Sequence, residues 1–109
     1  LCKYDINFTN SYYRYYFFIN PEFLKKSWTR NKIIKFLNRN KINCGSGTCP
    51  EIYLEKSFKK INSIKNIKLS NAKKLGETSI SINIHQNISS KEIAYIAKSL
   101  KNLFLEVTL

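Results

Sequence analysis

The hydrophobic positions along the chain repeat with two different periods, and the changes of period mark out its elements. Ile80, Ile82 and Ile84 alternate with Ser79, Ser81 and Asn83, and a period of two predicts a strand with one face toward a core. A second strand is expected at Tyr12 to Ile19, where Tyr-Tyr-Arg-Tyr-Tyr-Phe-Phe-Ile ends at Asn20-Pro21, because aromatic and branched residues favour strands and proline stops them. That run is too apolar for an ordinary exposed edge. Helical spacing appears twice. Ile33, Ile34, Phe36 and Leu37 follow Thr29, which predicts a capped helix at about Thr29 to Asn40. Ile93, Ile96, Ala97, Leu100, Leu103 and Phe104 line one face of a final helix opened by Ser89 and Glu92, the spacing of a capping box.

Between these elements the pattern is weaker. Ile42 to Cys49 contains Gly45, Ser46, Gly47 and Thr48 before Pro50, which reads as a short strand running into a loop or as a loop throughout. Glu51 to Lys60 has room for one or two helical turns, and Asn62 to Leu69 is polar enough for a surface connection. Asn71 to Leu75 is expected to form a short helix ending at Gly76, whose freedom at positive φ suits a helix terminus. The order strand, helix, short strand or loop, small helices, strand, long helix predicts an α+β two-layer sandwich: a small, mostly antiparallel sheet with helices on one face. At 109 residues with 43% hydrophobic positions, the chain fits a single domain, residues 1–109.

Composition adds a charge of +12, which ordinarily points to nucleic acid or an anionic surface. Here 16 of the 19 basic residues are lysine, and Lys, Asn and Ile make up about two-fifths of the chain, the signature of A/T-rich codons. Surfaces that read phosphates and bases favour arginine instead, so nucleic acid is an unlikely partner. Cys2, Cys44 and Cys49 have no metal-ligand spacing and the one histidine, His85, is remote from them. Reduced cytoplasmic thiols are expected. No apolar run approaches the roughly 20 residues of a membrane helix, so no membrane contact is expected. The chain starts at Leu1 and contains no methionine, which reads as a fragment whose missing part lies upstream.

Three segments together resemble the C-terminal small domain of DegT/DnrJ-type sugar aminotransferases, which are fold-type I pyridoxal-phosphate (PLP) enzymes. The first is Tyr15-Tyr16-Phe17-Phe18-Ile19 with Ser27-Trp28-Thr29-Arg30-Asn31-Lys32-Ile33-Ile34, similar to the family's aromatic strand and Arg-Asp helix start. The second runs from Lys41 through Cys44-Gly45-Ser46-Gly47-Thr48-Cys49-Pro50-Glu51-Ile52-Tyr53 to Phe58, and the third from Asn71 through Ile84-His85-Gln86-Asn87-Ile88-Ser89. They cover nearly the whole chain in order. The sequence departs from the family where many members carry Tyr-Pro and then His in the second segment, and Pro after the His in the third. The first departure falls in the loop that the resemblance implies would touch substrate, and the second, Gln86, follows His85.

The resemblance implies a parent enzyme in which PLP, held on a lysine of a large domain, moves an amino group from an amino-acid donor to a keto-sugar nucleotide. It implies no catalytic and no cofactor-binding residue in this fragment, which is expected to be inactive alone. Its implied partners are the large PLP-binding domain of the same chain and, for the parent, a second copy in a homodimer. The fragment itself is expected to be a monomer or weak dimer. Candidate substrate contacts are Ser46, Thr48, Tyr53 and His85, each with a plain structural alternative as a turn or hydrogen-bonding residue. Trp28 and the tyrosine run are expected in the core or against the large domain. Two other readings stay open: a basic nucleic-acid-binding module, and a free-standing interaction domain.

Overall fold

A computed structural model describes residues 7, 12–47, 49–58, 60 and 68–109. Strand β1 (Arg14–Phe18) leads through a single 3-10 turn to helix α1 (Arg30–Arg39), then to β2 (Cys44–Ser46). Two further 3-10 turns, Ile52–Leu54 and Lys56–Phe58, precede helix α2 (Ser70–Thr78), which runs directly into β3 (Ser79–Asn83), and helix α3 (Ser90–Val107) completes the chain. The last strand in sequence lies between the first two, in the order β1-β3-β2, and pairs antiparallel with both. This is the expected α+β architecture with an antiparallel sheet.

One face of the sheet carries the core. Ile80 and Ile82 of β3 meet Ile33 and Leu37 of α1 and Leu103 and Val107 of α3, all nearly sealed from solvent. Phe17, opposite Ile80 on β1, closes this layer with an edge-on contact to Phe104, ring centres 5.9 Å apart, a favoured aromatic geometry. Trp28 is half-buried and packs edge-on against Phe36. The C-terminus is tied back onto the start of the fold, with the Lys25 N–H donating to the Val107 carbonyl and that of Leu109 to Phe23.

The helix signals hold in detail. The Thr29 hydroxyl accepts from the Lys32 N–H, and Ser89 and Glu92 form the reciprocal capping box. Helix α1 ends in a Schellman motif: Ile42 N–H donates to the Leu37 carbonyl and Lys41 N–H to that of Asn38. Lys41 takes the left-handed position, φ 61°, where glycine is usual. Buried Ile42 and Leu37 supply the motif's apolar contact.

Two expectations are corrected. Helix α2 does not stop at Gly76 but continues to Thr78, and no described glycine has positive φ. Gly76 answers a different need, because a Cβ there would overlap the Pro50 ring at Cγ. The serine side of β3 is not a solvent face either: Ser79 and Ser81 are 6% and 1% exposed. A central strand is flanked on both edges, and Tyr16 and Gly45 stand opposite Ser81 on its two neighbours. The polar stretch at residues 61–67 lies outside the described residues.

Candidate functional site

The face of the sheet away from the core holds a cleft of about 290 Å³, walled by Tyr16 and Phe18 of β1, Ser79 of β3, Gly47 and Pro50 of the loop after β2, and Leu75 and Gly76 of α2. Its construction follows from small residues. Ser79 and Gly47 approach closely: the Gly47 N–H donates to Ser79 Oγ at 3.2 Å, and a Cβ on Gly47 would lie 2.5 Å from that oxygen. The Ser81 hydroxyl donates to the Ser46 carbonyl. These bonds satisfy polar groups that the sheet buries and pin the loop across β3. Phe18 is left 57% and Leu75 51% exposed, so the cleft offers apolar side chains to solvent.

The expected contact residues fall in two places. Ser46 ends β2 beside the cleft loop, exposed, with its side chain on the helix side of the sheet because it pairs with Ile80. Tyr53 sits farther along the same loop, where its hydroxyl donates to Glu51 at 2.7 Å and accepts from the Leu69 N–H at 3.3 Å. That bond to Glu51 pushes the phenol's pKa up, and the pair ties the loop to the start of α2. Thr48 lies outside the described residues. Cys49, in the same loop, is an exposed thiol donating to Glu55 at 3.4 Å, which raises its pKa. Cys44 is buried, and burial raises its pKa too.

His85 lies at the other end of the sheet, two residues past β3. Five residues of extended chain separate it from Ile80, roughly 17 Å at a strand's rise. It lines a separate cavity of about 210 Å³ with Lys41, Asn43, Asn83, Glu92 and Tyr95. The Tyr95 hydroxyl donates to the Asn40 carbonyl. The Glu92 carboxyl is held below its ordinary pKa, first by the Ser89 hydroxyl and backbone bonds of the capping box, with His85 adding to it. The structure therefore brings Ser46 and Tyr53 into one loop system and leaves His85 apart.

Among the described residues no group of three His, Cys, Asp or Glu side chains is placed to hold a metal, and no helix is long and apolar enough to cross a membrane. No family model matches the chain, and no curated protein matches it. Among solved structures it is similar to the aminotransferase from Psychrobacter cryohalolentis, with 32% identity and a TM-score of 0.84 over 91% of this chain. The fold is that of part of an aminotransferase. The chain spans 25% of that protein's length.

Sequence reasoning missed Tyr16, Phe18, Pro50, Leu75 and Ser79 as cleft residues. One signal was available: β1 is aromatic at successive positions, so apolar groups point to both faces of the sheet.

Proposed function

We propose that these 109 residues are the C-terminal small domain of a longer PLP-dependent aminotransferase that aminates a keto-sugar nucleotide. The observation that carries this reading is the likeness to an aminotransferase over 91% of the chain at 32% identity. The sugar-nucleotide class rests on the three segments that resemble DegT/DnrJ enzymes. The cleft beside the Ser46 to Tyr53 loop is the face turned toward the large domain of the parent, and the loop is its substrate-side element.

PLP supplies an electron sink for moving an amino group. Holding it takes an amine for the imine, an acid at the pyridine nitrogen and donors for the phosphate. These do not converge among the described residues: the cleft is lined by aromatic, small and aliphatic side chains, and in the cavity containing Lys41 and Glu92 the carboxylate is taken up by the Ser89 capping box. The residues present do not fit a PLP site, so amino transfer is assigned to the remainder of the parent chain. Its small domain then binds and orients the substrate and excludes water at the rim.

The test compares the 109-residue chain with the complete polypeptide that contains it, assayed for amination of a keto-sugar nucleotide with a panel of amino-acid donors and for bound PLP. Activity and cofactor in the complete polypeptide, and neither in the short chain, are expected. A complete polypeptide that binds no PLP would end the enzyme reading. Nucleic-acid binding is the weaker alternative, because Tyr16 and Phe18 face Ser81 and Ser79 across the sheet and find no second stacking platform there.

A further inference from the structure

Arg30, the first residue of α1, is half-buried and poorly satisfied. Its guanidinium carries five N–H donors. One of them, on Nη1, reaches the Ser79 carbonyl at a long 3.4 Å, and Nε is shut off from solvent with no hydrogen-bond partner. No acid answers it among the described residues. Six of the chain's seven acids are described, and the one ion pair formed there is Lys73 with Glu77 on α2. The rest of the half-buried guanidinium keeps some access to water, but a charged N–H shut off without a partner is unfavourable, and unsatisfied buried polar atoms are rare enough to call for an explanation. The lysines nearby differ: Lys25 and Lys32 are exposed, and each donates to a backbone carbonyl.

The position of Arg30 suggests what answers it. Ser79, whose carbonyl it touches, also lines the cleft and takes the Gly47 N–H. The unanswered cation and the exposed Phe18 and Leu75 therefore belong to one end of the sheet. The similar aminotransferase has three-quarters of its length outside the part this chain matches, so a domain of this kind has a large covalent neighbour to receive.

We propose that Arg30 is the charged anchor of an inter-domain seam: a carboxylate carried by the parent chain outside these 109 residues pairs with its guanidinium, while apolar side chains of the same segment fill the cleft between Phe18, Pro50 and Leu75. The inference rests on the aminotransferase reading for the existence of that neighbour. Arginine suits the role because its planar fork takes a carboxylate through two parallel bonds and is weakly hydrated.

The test is a reversal of sign. In the 109-residue chain Arg30→Met, which keeps a long apolar stem and removes the charge, leaves the melting temperature unchanged or raises it, since no counter-ion is lost. In the complete polypeptide the same substitution lowers it by roughly 5–10 °C, the effect of orphaning a buried carboxylate. Arg30→Lys keeps the charge without the fork and gives a smaller drop. Equal drops from Arg30→Met in both chains would overturn the proposal, because the partner would then be internal. So would a drop from Asp5→Asn in the short chain that matches a drop from Arg30→Met there, since Asp5 is the acid outside the described residues. PLP content of the complete polypeptide separates the two failures: cofactor bound with no reversal of sign removes the anchor alone, whereas no cofactor removes the enzyme reading.

Discussion

The two faces of the sheet serve opposite ends. On the helix side Ile80 and Ile82 are 0% and 3% exposed beneath α1 and α3, and the layer that holds the fold together is closed there, while an apolar recess of about 310 Å³ opens farther along between Ile82, Ile84 and the start of α3. On the other side Tyr16 and Phe18, from the same strand as core-facing Phe17, stay 39% and 57% exposed around the cleft. The aromatic residues of β1 are alike on both faces, but β3 offers isoleucines to the core and serines to the cleft, and the two faces also differ in whether the chain brings a helix long enough to cover them. Helix α2 is nine residues and flanks the cleft without closing it. This open face is the one that the proposed seating of the domain on its parent would cover.

That contrast can be broken by substitution. Leu37→Ala, fully buried on the helix side, is expected to cost about 2–5 kcal/mol, whereas Phe18→Ser in the same 109-residue chain costs less than about 0.5 kcal/mol. Chemical denaturation of both variants measures the gap, and comparable losses would show the second face to be core as well. Gly76→Ala is the next largest effect. Helix propensity alone favours alanine by about 1 kcal/mol, but the new methyl would overlap Pro50, so a net loss of about 1–3 kcal/mol is expected. A stabilised variant would mean that Pro50 does not rest on α2.

A smaller effect of opposite sign sharpens the picture of the closed face. Lys41→Gly relieves a left-handed residue at the end of α1 and is expected to stabilise by about 0.5–1 kcal/mol, readable as a higher denaturation midpoint. The smallest is a pH effect at the capping box. Glu92 titrates lower in the folded chain than its ordinary value, so its contribution is complete above the unfolded pKa of about 4.3 and fades as pH falls through the folded value. The difference in melting temperature between the parent sequence and Glu92→Gln should therefore shrink on acidification, and a difference that grows would contradict the assignment.

The fold was legible where a local rule and the tertiary environment agree. Thr29, Ser89 and Glu92 announce their helices because caps act within a turn, and the Ile80, Ile82 alternation finds its strand because one face of it does reach the core. Gly76 misled because glycine has two uses, positive φ and close approach, and the sequence does not show Pro50 approaching from 26 positions away. Ser79 and Ser81 misled because their burial depends on β3 taking the central place, a non-local pairing. The site was legible in part: the Gly-Ser loop was found from its turn residues, but its separation from His85 follows from the antiparallel register, which sets Ser46 opposite Ile80 near the start of β3 while His85 lies two residues past its end.

The most direct test of the open face is hydroxyl-radical footprinting of Tyr16, Phe18 and Leu75 in the 109-residue chain and in the complete polypeptide, with exposed Tyr13 as internal reference. Reactivity of all three should fall several-fold in the complete polypeptide while Tyr13 serves to normalise dose. Unchanged reactivity would mean that nothing docks on this face, and the account of the chain as a domain seated through its cleft would be wrong.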